Sequence, residues 1–136
     1  MPKVANRPDL DTPLSRDEFV RETIRLLAGQ GKKSHMVKDG ITLCRYRGAG
    51  GCCCALGFWI RDDKYSESLE GECPVDSVAV LDALPSWVVA FGGSFLGSVQ
   101  EDLHDLRDDD EFTVEALTEE AVRCRLLPNP SEGGAS

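Results

Sequence analysis

No apolar run of about 18 residues occurs in the chain, so the sequence holds no membrane-spanning helix. The opening stretch, MPKVANRPDLDTPLSRDEF, lacks the basic-then-apolar order of a secretory signal. Together these absences make the cytoplasm the expected compartment. Thiols stay reduced there, so six cysteines do not imply a disulfide framework. C-x-x-C is missing too, and with it the usual paired-ligand pattern of a structural zinc site. There is no internal repeat. What remains is a chain of 136 residues, 41% hydrophobic and 29% charged, which predicts one globular domain with a real core.

Basic residues are scarce in the second half. Residues 1–47 carry ten Lys/Arg against six Asp/Glu, whereas residues 48–136 carry five against eighteen. The excess peaks between Glu101 and Glu120, where ten carboxylates face one arginine. A surface of that sign repels phosphate backbones, so direct nucleic-acid binding is not expected. It suits either a solvated helical face or a surface that docks a basic partner or mimics a nucleic acid.

Three prolines, mixed charge and no period mark residues 1–14 as a flexible arm. In SRDEFVRETIRLLAGQG, Ser15 and Glu18 form a capping-box pair. Val20, Ile24 and Leu27 recur at helical spacing there, and Gly29 and Gly31 supply a stop. The signals then turn strand-like. Asp39–Gly40 is a tight-hairpin dipeptide, and Ile41, Leu43, Arg45 and Arg47 alternate with Thr42, Cys44 and Tyr46. CCCALGFWI, Cys52–Ile60, is an unbroken apolar run suited to a buried central strand, with a short helix from about Cys53 as its competitor. VDSVAVLDALP suits a short helix ended by Pro85, and SWVVAF suits strand or helix. Leu96, Val99, Leu103 and Leu106 predict an amphipathic helix; Val114, Leu117, Ala121 and Cys124 predict another. The expected architecture is α+β: a small antiparallel hairpin or meander at about 35–60, packed against three or four helices. The domain spans 15–127, and PNPSEGGAS, residues 128–136, is a disordered tail.

Four of the six cysteines, Cys44, Cys52, Cys53 and Cys54, lie within eleven residues, and three roles are open to them. As ligands, three consecutive side chains on a strand cannot face one ion, since neighbours point to opposite faces. Cys54 with Cys44 across the hairpin and His104 from a helix is the set that zinc would use; otherwise no cofactor is expected. As a nucleophile, Cys54 needs a base, and His104 is the histidine on a firm helix. Gln100, one turn earlier on the same face, would orient the ring, whereas Asp105 points elsewhere. As core, free cysteines pack like small hydrophobes. His35 has no evident role.

The combination QGKKS, CRYRGAGGCCCALGFWIRDDKY, LEG and VQEDLHD resembles a family of small uncharacterised bacterial and phage or prophage proteins. Its pattern runs Q-G-x-x-S, C-x-Y-R-G-x-x-G-x-x-C-A-x-G-x-x-I-x-D-x-x-Y, E-G and L-Q-x-x-H-D, and covers roughly residues 24–105. This chain has Val99 where the pattern has leucine, and Cys52 and Cys53 are outside the pattern. No activity comes with the resemblance. It implies a polar set, Tyr46, Arg47, Asp62, Tyr65 and Glu70 beside Gln100 and His104, that either pins loops or lines a binding pocket. The function expected is therefore a non-enzymatic acidic binding protein with a protein partner or small polar ligand, and the resemblance implies phage association and action on a host or rival system. The alternatives are a cysteine hydrolase or transferase using Cys54 and His104, and a zinc-stabilised domain.

Overall fold

Ser15 starts the first helix by local chemistry alone. The computed structural model describes residues 10–31, 35–38, 41–44, 54–61, 63–65, 69, 78–105, 107 and 109–128, the segments 35–38 and 41–44 by backbone only. In α1, Arg16–Gln30, the Ser15 hydroxyl accepts from the Glu18 N–H, and the Glu18 carboxylate accepts from the Ser15 N–H at 2.9 Å. Two orphan donors of the first turn are thus satisfied reciprocally. Gly31 closes the helix at φ 74°, a left-handed turn that glycine enters without strain, and its N–H reaches the Leu27 carbonyl. Phe19, Val20, Thr23, Ile24, Leu26 and Leu27 form the buried face.

Strands β1, His35–Lys38, and β2, Ile41–Cys44, pair antiparallel with each other, His35 opposite Cys44 and Lys38 opposite Ile41. After them come α2 Val78–Ala83, α3 Ser86–Val89, α4 Gly93–Gln100 and α5 Val114–Arg123. A π-helical turn, Glu101–Asp105, continues α4, and a 3-10 turn, Asp109–Glu111, leads to α5. Thr113 caps α5, its hydroxyl accepting from the Ala116 N–H at 3.1 Å. α1 packs against α5, and α5 against the π turn.

The α+β expectation is overturned. The core is built mainly by helices: among the described residues the only strand pairing is between the two four-residue segments, and no third strand at 54–60 joins them. The residues expected to form its buried central strand, from Cys54 to Ile60, run instead as a turn and a 3-10 helix, Gly57–Trp59. Every residue in that run is buried. Continuous apolarity therefore reflects cover on all sides rather than a place inside a sheet. Two of its backbone donors find partners within the turn and on α4. The Trp59 N–H bonds the Leu56 carbonyl at 2.9 Å, and the Leu56 N–H bonds Gln100 at 3.0 Å.

Two side-chain clasps hold this segment. One is the Gln100 bond, from α4. In the other, the Trp59 indole N–H donates to the Thr23 hydroxyl at 3.0 Å, which itself donates to the Phe19 carbonyl at 2.8 Å. Around them runs a chain of rings. Phe19 meets Trp59 at 4.7 Å between centroids and Phe91 at 5.2 Å, and Phe91 meets Phe95 at 5.5 Å. Leu10 is buried and its carbonyl accepts from the Trp87 indole at 2.9 Å, so the residues just before α1 lie on the α3 side of the core. Two helix expectations need adjustment. The amphipathic repeat from Ser94 is carried by α4 and then by the π turn, and Val114, expected on the apolar face of α5, is 51% exposed.

Candidate functional site

The three residues expected to form a catalytic group belong to two neighbouring regions. Cys54 opens the clasped apolar segment and is 1% exposed. Gln100 ends α4, 7% exposed, with its side-chain carbonyl on the Leu56 N–H. His104 lies in the π turn with no exposed surface, its ring 5.8 Å from that of Phe112. Gln100 thus reaches the backbone two residues beyond Cys54, while His104 packs toward the entry to α5. Tyr65, 8% exposed, follows a turn in which its N–H bonds the Arg61 carbonyl at 3.0 Å. Tyr46, Arg47, Asp62 and Glu70, expected to bind, lie outside the described residues, as does the side chain of Cys44. Among the described residues no three His, Cys, Asp or Glu side chains converge to hold a metal ion.

The acidic stretch is partly spent on internal pairing. Arg107, largely buried, reaches Glu111 at 3.0 Å and Glu120 at 3.3 Å. Arg123 adds a second guanidinium to Glu120, which accepts from Arg123 Nε at 3.1 Å. Hydrogen bonding from Arg123 holds the Glu120 carboxyl below its ordinary range against the opposing effect of burial. The Cys124 thiol, 3.3 Å from Glu120, goes the other way: burial, and then the neighbouring carboxylate, push it up to about 11. Glu101, Asp110, Glu115 and Glu119 remain exposed.

A groove of about 500 Å³ opens where the start of α1, the side of α4 and the end of α5 meet. Arg16, Arg123 and Arg125 line it with one carboxylate, Asp17, over Phe95, Val122, Leu126 and Leu127. Arg16 donates to the Phe91 carbonyl at 2.9 Å and stands 4.8 Å above the Phe95 ring. Arg125 is the C′ residue of α5 at φ 63°. Its N–H bonds the Val122 carbonyl at 3.1 Å, and the Leu126 N–H bonds the Ala121 carbonyl at 2.7 Å, the paired bonds of a Schellman ending. Sequence reasoning passed over this site. A signal existed in the R-C-R at 123–125, two of the five basic residues in the acidic half, placed at a helix C-terminus where the dipole favours cations.

Among the described residues no helix is long and apolar enough to cross a membrane. Compared with known proteins, the chain matches no family model, no curated protein and no solved structure.

Proposed function

We propose that the chain acts by binding rather than catalysis, as a non-enzymatic acidic protein whose target is a protein partner or a small polar ligand. The observation that carries this is the burial of Cys54 and His104, 1% and 0% exposed, beside a Gln100 whose carbonyl braces Leu56. A cysteine nucleophile has to meet its substrate, and reactive thiols sit in electropositive, partly exposed surroundings. Cys54 instead heads a segment in which every neighbour to Ile60 is core. Gln100 does structural work there: its carbonyl accepts from the Leu56 backbone N–H at the start of the 3-10 segment. The acidic surface left for a partner is that of Glu101, Asp110, Glu115 and Glu119, since Glu111 and Glu120 are engaged by Arg107. In the phage setting implied by the family resemblance, a host or rival-phage component would be the partner.

Thiol mapping tests this. The native chain is treated with an alkylating reagent at neutral pH and the modified cysteines are located by mass spectrometry over time. Cys54 is expected to react only as fast as the protein opens. Rapid, selective alkylation of Cys54 that slows in His104→Ala would overturn binding in favour of nucleophilic chemistry.

A further inference from the structure

The geometry points to the groove between α1, α4 and α5 as a binding site for a small organic monoanion with an apolar body, its anionic group received by Arg125. This builds on the view that the chain acts by binding.

Charge carries the first part. In a chain of net charge −9, three guanidiniums face one carboxylate in this groove. Two of the three are engaged: Arg123 by Glu120, Arg16 by the Phe91 carbonyl and the Phe95 ring. Arg125 is exposed, and its guanidinium makes no ion pair or hydrogen bond among the described residues. Arg125, which lines the groove, carries five N–H donors in a planar fork, the geometry that carboxylate, sulfonate and phosphate groups match in bidentate fashion.

Placement carries the second. The C′ position of a Schellman ending is where glycine sits without strain, and this chain puts arginine there at φ 63°. The helix ending that holds Arg125 also turns Leu126 and Leu127 inward, 7% and 3% exposed, so the cation and the apolar wall come from one turn of chain. Phe95 and Val122, both half-buried, add apolar surface beside the charged groups of the groove. Its volume of about 500 Å³ lies within the range of small-molecule sites. Asp17, at the start of α1, disfavours a second negative group, and this selects a ligand with one anionic end over a polyanion.

The test uses the full chain and two fluorescent probes of nearly the same shape, anilinonaphthalene sulfonate and its uncharged analogue phenylnaphthylamine. The sulfonate should bind one per chain, more weakly as salt rises, and displaceably by a medium-chain fatty carboxylate but not by inorganic phosphate alone. Arg125→Ala should weaken it about tenfold or more, the loss expected for a charged hydrogen bond. Arg125→Gly should weaken it equally without lowering thermal stability, which separates lost recognition from lost structure. Arg25→Ala, on the far part of α1 and paired with Glu22, should change nothing. Unaltered sulfonate affinity in both Arg125 variants, or equal affinity for the uncharged probe, would overturn the site. Either result would leave Cys54 as unreactive as before, so it would not touch the case for binding over catalysis.

Discussion

Replacing Thr23 by valine removes one oxygen from the centre of the core and strands one donor. Thr23 and Trp59 are both without exposed surface, and the Thr23 hydroxyl is the acceptor for the Trp59 indole N–H at 3.0 Å. Valine has the same shape and nearly the same helix propensity, so backbone and volume stay as they are. The Phe19 carbonyl loses the threonine bond but is still available within α1, which keeps that loss small. The indole N–H has no such reserve, and a buried donor left unpaired costs about 1–3 kcal/mol. The added methyl returns less than about 1 kcal/mol. The net expectation is a loss of about 1–2 kcal/mol, or a fall in Tm of roughly 3–8 °C for a chain of this length. Urea titration followed by far-UV circular dichroism measures it, and the decisive version is a double-mutant cycle. In a Trp59→Phe background no indole N–H exists to be stranded, so Thr23→Val should then be nearly neutral. A coupling of about 1 kcal/mol or more between the two positions follows. Equal cost of Thr23→Val in both backgrounds would refute the clasp.

The second clasp gives a parallel expectation: Gln100→Leu strands the buried Leu56 N–H and should cost about 1–3 kcal/mol by the same titration, an unchanged midpoint contradicting it. Arg125→Gly relieves a left-handed strain of about 1–2 kcal/mol, less the extra freedom glycine gives the unfolded chain. The expected net gain is about 0.5–1 kcal/mol, seen as a Tm higher by a few degrees. Glu120 binds its proton less readily in the folded protein than in the unfolded one. Its contribution is therefore complete above the ordinary carboxylate value of 4.5 and is lost as pH falls from there through the lowered folded value. Glu120→Gln should lower Tm at neutral pH and make its decline below pH 4.5 shallower; an unchanged acid slope would count against the Arg107–Glu120–Arg123 network. The Cys124 thiol, pushed up to about 11, should stay protonated at pH 8 and alkylate far more slowly than a free thiol, and a midpoint near 9 in a labelling-rate titration would contradict its placement.

Local chemistry made α1 readable in the sequence. The Ser15–Glu18 capping box, the apolar spacing from Phe19 to Leu27 and the stop at Gly31 all act over a few residues, so no distant contact is needed to specify them. The same holds in part for α5, though not for its first turn: Val114 fits the apolar spacing yet stands exposed. The stretch from Cys54 to Ile60 shows where local signals stop. A run that is apolar at every position has no period, so it suits a strand buried on two faces as well as a 3-10 turn enclosed on all sides. Residues far away in the chain hold it there: Gln100 on α4 accepts from the Leu56 backbone N–H, and Thr23 on α1 accepts from the Trp59 indole. The polar character of Gln100 and His104 marked them in the sequence as candidates, but whether such groups meet a substrate or brace a backbone depends on burial, a property of the assembled core.

The groove lay further still from view. Arg16 belongs to the basic half of the chain and Arg125 to the acidic half, and only the packing of α1 on α5 sets them around one apolar floor. Composition and charge placement determined that the second half is acidic and that no apolar run reaches about 18 residues. Tertiary structure decided which carboxylates are neutralised from within, which apolar run turns rather than extends, and which cations gather at one groove. Charge, periodicity and capping are properties of neighbours along the chain, whereas burial and pairing are properties of neighbours in space.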